Sequence, residues 1–185
     1  EEITSGTMVK IKLSNTMRDA VNAAANANRN IALLIEENPI EVDLKRITTE
    51  RGIYDKAVTE LMQLKTSAAG ASLLKRVAEV RQKTGPLIDE MQNLAKNQRN
   101  LEGTTLWRDK LRPEELKWQA MLEDMVKLQE ADAMTETEAA REAVACGAAL
   151  AIGDADDLVA RVNALLSDVE SRQRMGEAGR AFAER

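Results

Sequence analysis

Through the N-terminal two thirds of the chain, apolar and small residues recur at steps of three and four, the spacing by which a helix buries one stripe. From Met8 to Ile35 the stripe is Leu13, Met17, Ala20, Ala24, Ile31 and Ile35, interrupted at Asn28, and Pro39 is expected to stop that helix. A second helix, Glu41 to Leu64, carries Leu44, Ile47, Tyr54, Val58 and Leu61, with Arg51 in the same stripe. Ala68, Ala69 and Gly70 read as the break after it. The third pattern is the most regular: Leu73, Val77, Val80, Thr84, Leu87, Met91, Leu94, Gln98 and Leu101 alternate four and three, a heptad seam that predicts a helix over 72–101.

The period fails between Glu102 and Arg112, where Gly103, Thr104 and Thr105 predict a loop with one short turn. Pro113 followed by Glu114 and Glu115 reads as a helix start, because proline suits the first turn and carboxylates favour the positive end of the helix dipole. The fourth helix would bury Trp118, Leu122, Met125 and Leu128 and reach at least Met134. Four such helices joined by short connections predict an all-α protein, an up-down-up-down antiparallel four-helix bundle, with an additional helical C-terminal tail.

Composition narrows the function. Of the 185 residues, 44% are hydrophobic and only 2% aromatic, which suits packed helices better than sandwiches or barrels. The net charge of −5, with no stripe of Lys and Arg, gives no reason to expect nucleic acid. There is no histidine and only Cys146, so the Cys/His zinc sites and the His-dependent hydrolases are disfavoured, and neither metal nor cofactor is expected. Within the sequence no apolar run is long enough for a membrane span, and its first residues do not resemble a signal peptide. The methionines of the fourth helix and Trp118 read as core, Arg51 as paired with an acid such as Glu90 or Glu123, and "GEAG" near Met175 lacks the strand and spacing of a phosphate loop.

The segments "NAAANANRNIALLIEENP", "ERGIYDKAVTELMQL", "LLKRVAEVRQKTGPLIDEMQNLAKN" and "LEDMVKLQEADA", in this order, resemble the periplasmic four-helix-bundle ligand-binding domain of bacterial methyl-accepting chemotaxis receptors. The resemblance spans residues 1–138. It implies a non-enzymatic sensor ectodomain of an inner-membrane receptor, a homodimer that binds a small metabolite near its membrane-distal end. That would bring the end of the first helix to the region from Leu106 to Trp118. There Arg29, among Asn26, Asn28 and Asn30, and Arg108, after Thr104 and Thr105, could converge on a di- or tricarboxylate, since guanidinium forks with amide and hydroxyl donors suit that chemistry. A solvated face or salt bridge is the alternative use of Arg29, and a helical oligomerisation module without a small ligand is the alternative function.

Residues 139–185 change character. Ala148 to Ile152 could form a short strand, Asp154 is a fitting helix cap, and Leu158, Val159, Val162, Leu165 and Leu166 make an amphipathic helix, followed by a second near Glu170 to Glu184. The string "EAVACGAALAIGDADDLVARVNALLSDVESRQRMGEAGRAFAER" resembles the C-terminal end of a Kdo transferase, a two-Rossmann-domain glycosyltransferase. The acceptor domain and sugar-nucleotide pocket of such an enzyme are missing, so no catalysis is expected. Two unrelated sequences are expected to join between Met134 and Val144. With no sheet for a strand to enter, Glu136 to Ala149 should extend the fourth helix.

Overall fold

The computed structural model describes residues 2–33, 40–153 and 155–184, apart from the side chains of residues 2–5 and 155. Regular structure among them is all helical, without a strand: α1 (Glu2–Leu33), α2 (Ile40–Gln63), α3 (Ala68–Lys96), α4 (Asn100–Leu106), a π-helical turn (Trp107–Leu111), α5 (Arg112–Ala145), α6 (Ala155–Ser167) and α7 (Val169–Ala183). The chain divides into two compact units, Glu1–Ala131 and Asp132–Arg185.

In the first unit the expected stripes become the core. Leu13, Met17, Ala20, Ala24 and Ile31 of α1 are buried, as are Ile47, Tyr54 and Leu61 of α2, with Leu44 and Val58 half-buried. Ile35, Glu37 and Pro39, on which the expected end of the first helix falls, lie outside the described residues. In α3 the seam holds from Leu73 to Leu94, and Thr84 sits in it at no polar cost because its hydroxyl donates to the Val80 carbonyl at 2.7 Å. Trp118, Leu122, Met125 and Val126 complete the core from α5.

The boundaries differ from the pattern in three places, each for a local reason. Ala68 to Gly70 form the first turn of α3 instead of a break, because the Ser67 side chain caps it by accepting from the Gly70 N–H at 3.2 Å. Helix α3 stops at Lys96, not Leu101: Gln98 adopts a left-handed φ of 56°, and the Arg99 N–H closes back on the Leu94 carbonyl at 2.9 Å. Gln98 and Leu101 therefore leave the seam, and Leu101 is 81% exposed.

The third difference is the stretch from Glu102 to Arg112, which is helical throughout and not a loop. Its threonine hydroxyls bond back along the helix, Thr104 to the Asn100 carbonyl and Thr105 to that of Leu101, while burial of Leu106, Trp107 and Leu111 outweighs their weak propensity. Pro113 lies within this helical path. It has no N–H for the Asp109 carbonyl, and one residue earlier the Arg112 N–H reaches Trp107 O, five residues back, so the π turn falls where proline breaks the ladder. Arg112 lies over the Trp107 ring, 5.2 Å from its centroid.

Polar contacts fix which residues of the helices meet. Arg18 pairs with Glu123, Asn28 with Glu115, and Thr104 Oγ1 donates to the Ala32 carbonyl. Between α2 and α3 the pairs are Arg51 with Asp89 and Arg81 with Asp55. In each series the numbers rise on one helix as they fall on the other.

The second unit contains the end of α5, then α6 and α7. Helix α5 extends through the alanine-rich segment to Ala145, short of the expected Ala149, because left-handed Gly147, with the Ala148 N–H returning to the Ala143 carbonyl, ends it. Residues 148–152 form a bend and coil in place of a strand, and Asp154 lies outside the described residues. Asp168 caps α7 by accepting from the Ser171 N–H, and the Arg172 guanidinium donates to the Leu165 and Leu166 carbonyls at the end of α6. None of the described residues of this unit is buried.

Candidate functional site

The structure brings the last turns of α1 to the region around Leu106, as the Thr104 to Ala32 bond of 2.5 Å records. It does not gather the predicted donors there. Arg29 and Asn26 are exposed, Asn30 donates across to Asp43 at 3.5 Å, and Thr105 is turned back on its own helix. The Arg108 guanidinium is exposed and pairs with its neighbour Asp109, whose carboxyl it holds below the usual carboxylate range. Such a surface pair is worth little and does not preorganise a binding site.

The polar groups that converge lie deeper. Asn28, fully buried, donates from Nδ2 to Glu115 Oε1 at 2.8 Å, and Glu115 itself is 5% exposed. Burial raises the Glu115 carboxyl from 4.5 to about 7, against the opposing pull of the Asn28 amide, the Trp107 indole and the Arg112 charge. The Trp107 N–H bears on this carboxyl electrostatically but lacks hydrogen-bond geometry, and Asn28 Oδ1 is unpartnered.

Glu115 forms part of the wall of a cavity of about 240 Å³ among α1, α2, α3 and α5. Ala20, Val21 and Ala24 supply an apolar side, and Tyr54 and Trp118 an aromatic one. Their rings meet edge to face at 5.0 Å, and Arg81 lies 5.7 Å from the Tyr54 centroid. Tyr54 is 2% and Trp118 6% exposed, yet neither Tyr54 Oη nor Trp118 Nε1 has a partner in hydrogen-bond geometry; the Trp118 indole N–H bears on the Tyr54 hydroxyl without closing a hydrogen bond. Buried polar atoms rarely go unmatched, so two beside one cavity are a reason to look for a guest. Burial keeps the Tyr54 hydroxyl protonated, pushed up to about 12. The Arg51–Asp89 and Arg81–Asp55 pairs line the same space, so Arg51 has an acidic partner other than Glu90 or Glu123.

The sequence held a signal for part of this. Asn28 interrupts an apolar stripe, and Glu115 stands in register with Trp118 and Leu122 on one seam, where a carboxylate is costly unless it is paired. The second unit offers an open groove beside Cys146 and Met175, with no unpartnered buried polar atom among the described residues. Among the described residues no cluster of metal-ligating side chains occurs, and no helix is long and apolar enough to cross a membrane. No protein-family model, curated protein or solved structure matches the chain.

Proposed function

We propose that the first unit is a non-enzymatic ligand-binding bundle of the chemoreceptor-ectodomain type, working as a homodimer on the periplasmic side of the inner membrane. In this reading α1, α2, α3 and the α4–α5 path run up, down, up and down. The opposed residue pairings of α1 with α5 and of α2 with α3 support that order. One observation carries the ligand-binding reading: the cavity lined by Tyr54 and Trp118, whose buried polar atoms lack partners. A small molecule held there touches four helices and would favour whichever relative placement of α5 it binds more tightly, by the difference between its two affinities.

The test is a thermal-shift screen of organic acids, amino acids and amines, with calorimetry on each hit. Ligand at tenfold excess over its dissociation constant should add about 1.4 kcal/mol of stability and raise the melting temperature by a few degrees. Tyr54→Phe and Trp118→Phe should weaken the hit, while Arg29→Ala and Arg108→Ala leave it unchanged. Loss only in the two arginine variants would move the site to the exposed end of α1 and restore the di- or tricarboxylate expectation. A blank screen of the folded protein would favour a helical oligomerisation module.

A further inference from the structure

Four carboxyl groups line the cavity, Glu50, Asp55, Asp89 and Glu115, against two guanidinium groups, Arg51 and Arg81. Both arginines are already engaged, by Asp89 and Asp55. An entering carboxylate would have to share a guanidinium with one of these aspartates and would bring a fifth carboxyl to a site that already carries an excess of them. An entering ammonium need displace nothing. Glu50 makes no ion pair among the described residues, and Glu115 makes no salt bridge: its one hydrogen bond is to the neutral Asn28 amide, with the Trp107 indole and the Arg112 charge acting on it from further off. Acceptors for the remaining N–H groups are on the same walls. Tyr54 Oη can accept as well as donate, and Pro86, inside α3, has no N–H to give to the Gln82 carbonyl; both residues line the cavity.

We infer that this cavity selects a small amine, an ammonium group on a compact apolar body, over a carboxylate of the same shape, with Glu115 as its deep anion and the α1 alanines against the body. The inference rests on the cavity being the ligand site. It also fixes a sign. Burial pushes the Glu115 carboxyl up to about 7 against the charge of Arg112 on its own helix, and the charged and titratable groups that share the cavity with it are Glu50, Arg51, Tyr54 and Asp55 of α2 and Arg81 and Asp89 of α3. From α1 it meets only the neutral Asn28 and small apolar residues. An ammonium needs the Glu115 carboxylate ionised, so its affinity should fall as pH drops below about 7, whereas a carboxylate that accepts from protonated Glu115 should bind better there.

The experiment titrates the full chain calorimetrically with cyclohexylamine, cyclohexanol and cyclohexanecarboxylate at pH 8 and pH 6. The amine should bind most tightly at pH 8 and about tenfold more weakly at pH 6, one proton being taken up for each amine released. Glu115→Gln should weaken amine binding at pH 8 at least tenfold and abolish the pH dependence, leaving cyclohexanol unaffected; the pH comparison on the unaltered chain stands even if this variant fails to fold. Tighter binding of the carboxylate or the alcohol than of the amine, or an opposite pH slope, overturns the amine preference and leaves the cavity as the site. Binding of none of the three overturns the cavity reading and the inference together.

Discussion

Helix α6 of the second unit has as clear an amphipathic pattern as any helix of the first, yet Leu158, Val159, Val162 and Leu166 are all exposed, whereas the plainer stripe of α1 is buried from Leu13 to Ile31. The pattern specifies a face and not a partner. In the first unit four stripes meet, and each residue in contact removes apolar surface at about 25 cal/mol per Å². In the second unit the helices are held by devices that work without a core: Asp168 capping α7 and Arg172 on the last carbonyls of α6. A core gives cooperative stability, and caps give helices that form and fray locally.

The largest expected effect tests this directly. Leu122 has no exposed surface, so Leu122→Ala should cost about 2–5 kcal/mol, read as a lower urea midpoint. The same truncation at Leu158, which is 43% exposed, should cost less than roughly 0.5 kcal/mol. A Leu158→Ala loss as large as that at Leu122 would mean that α6 is covered in solution and would break the contrast.

Next in size is an opposition in pH. Glu115 is raised from 4.5 to about 7 by burial, so the folded state binds a proton that the unfolded chain has already released between these values. Stability of the first unit should therefore fall as pH rises through this window, by roughly 3 kcal/mol at most, and Glu115→Gln should flatten the slope. The second unit should respond the other way. Asp157 is held below its ordinary 3.8 first by the Gly153 N–H and then by Arg161, and Asp168 by the Ser171 hydroxyl and N–H. Their support is present above that value and lost as pH falls below it. Urea melts of the first unit at pH 5 and pH 8, and helicity of α6 and α7 followed by hydrogen exchange at low pH, check the two signs.

The same contrast explains what could be read in advance. The seams of α1, α2, α3 and α5 were legible because periodicity records burial on one face; the sequence marked Asp154 as a helix cap, which lies outside the described residues, and not Asp168, which caps α7. The helical path from Asn100 to Leu111 was not, since Gly103 and two threonines argue for a loop and only tertiary burial of Leu106, Trp107 and Leu111 overrules them. The cavity was hidden for a related reason: Tyr54, Arg81 and Glu115 come from three helices whose rotational settings no single stripe fixes. Arg29 and Arg108 attracted notice as charged residues among polar neighbours, a pattern that solvent satisfies equally well.

The smallest effect separates intrinsic helix preference from packing. Gly52 lies inside α2 and Gly179 inside α7, and a Cβ added at either meets nothing within 4 Å. Alanine at each position should therefore gain roughly 0.5–1 kcal/mol of helix preference with no clash to offset it. In α2 that gain belongs to a helix tied to the core through Ile47, Tyr54 and Leu61, so Gly52→Ala should raise the cooperative urea midpoint. In α7 no residue is buried, so Gly179→Ala should slow amide exchange within the helix and leave the cooperative midpoint where it was. Equal midpoint shifts from the two substitutions would show that α7 unfolds together with the core, because a local gain reaches a global transition only through elements that unfold in the same step.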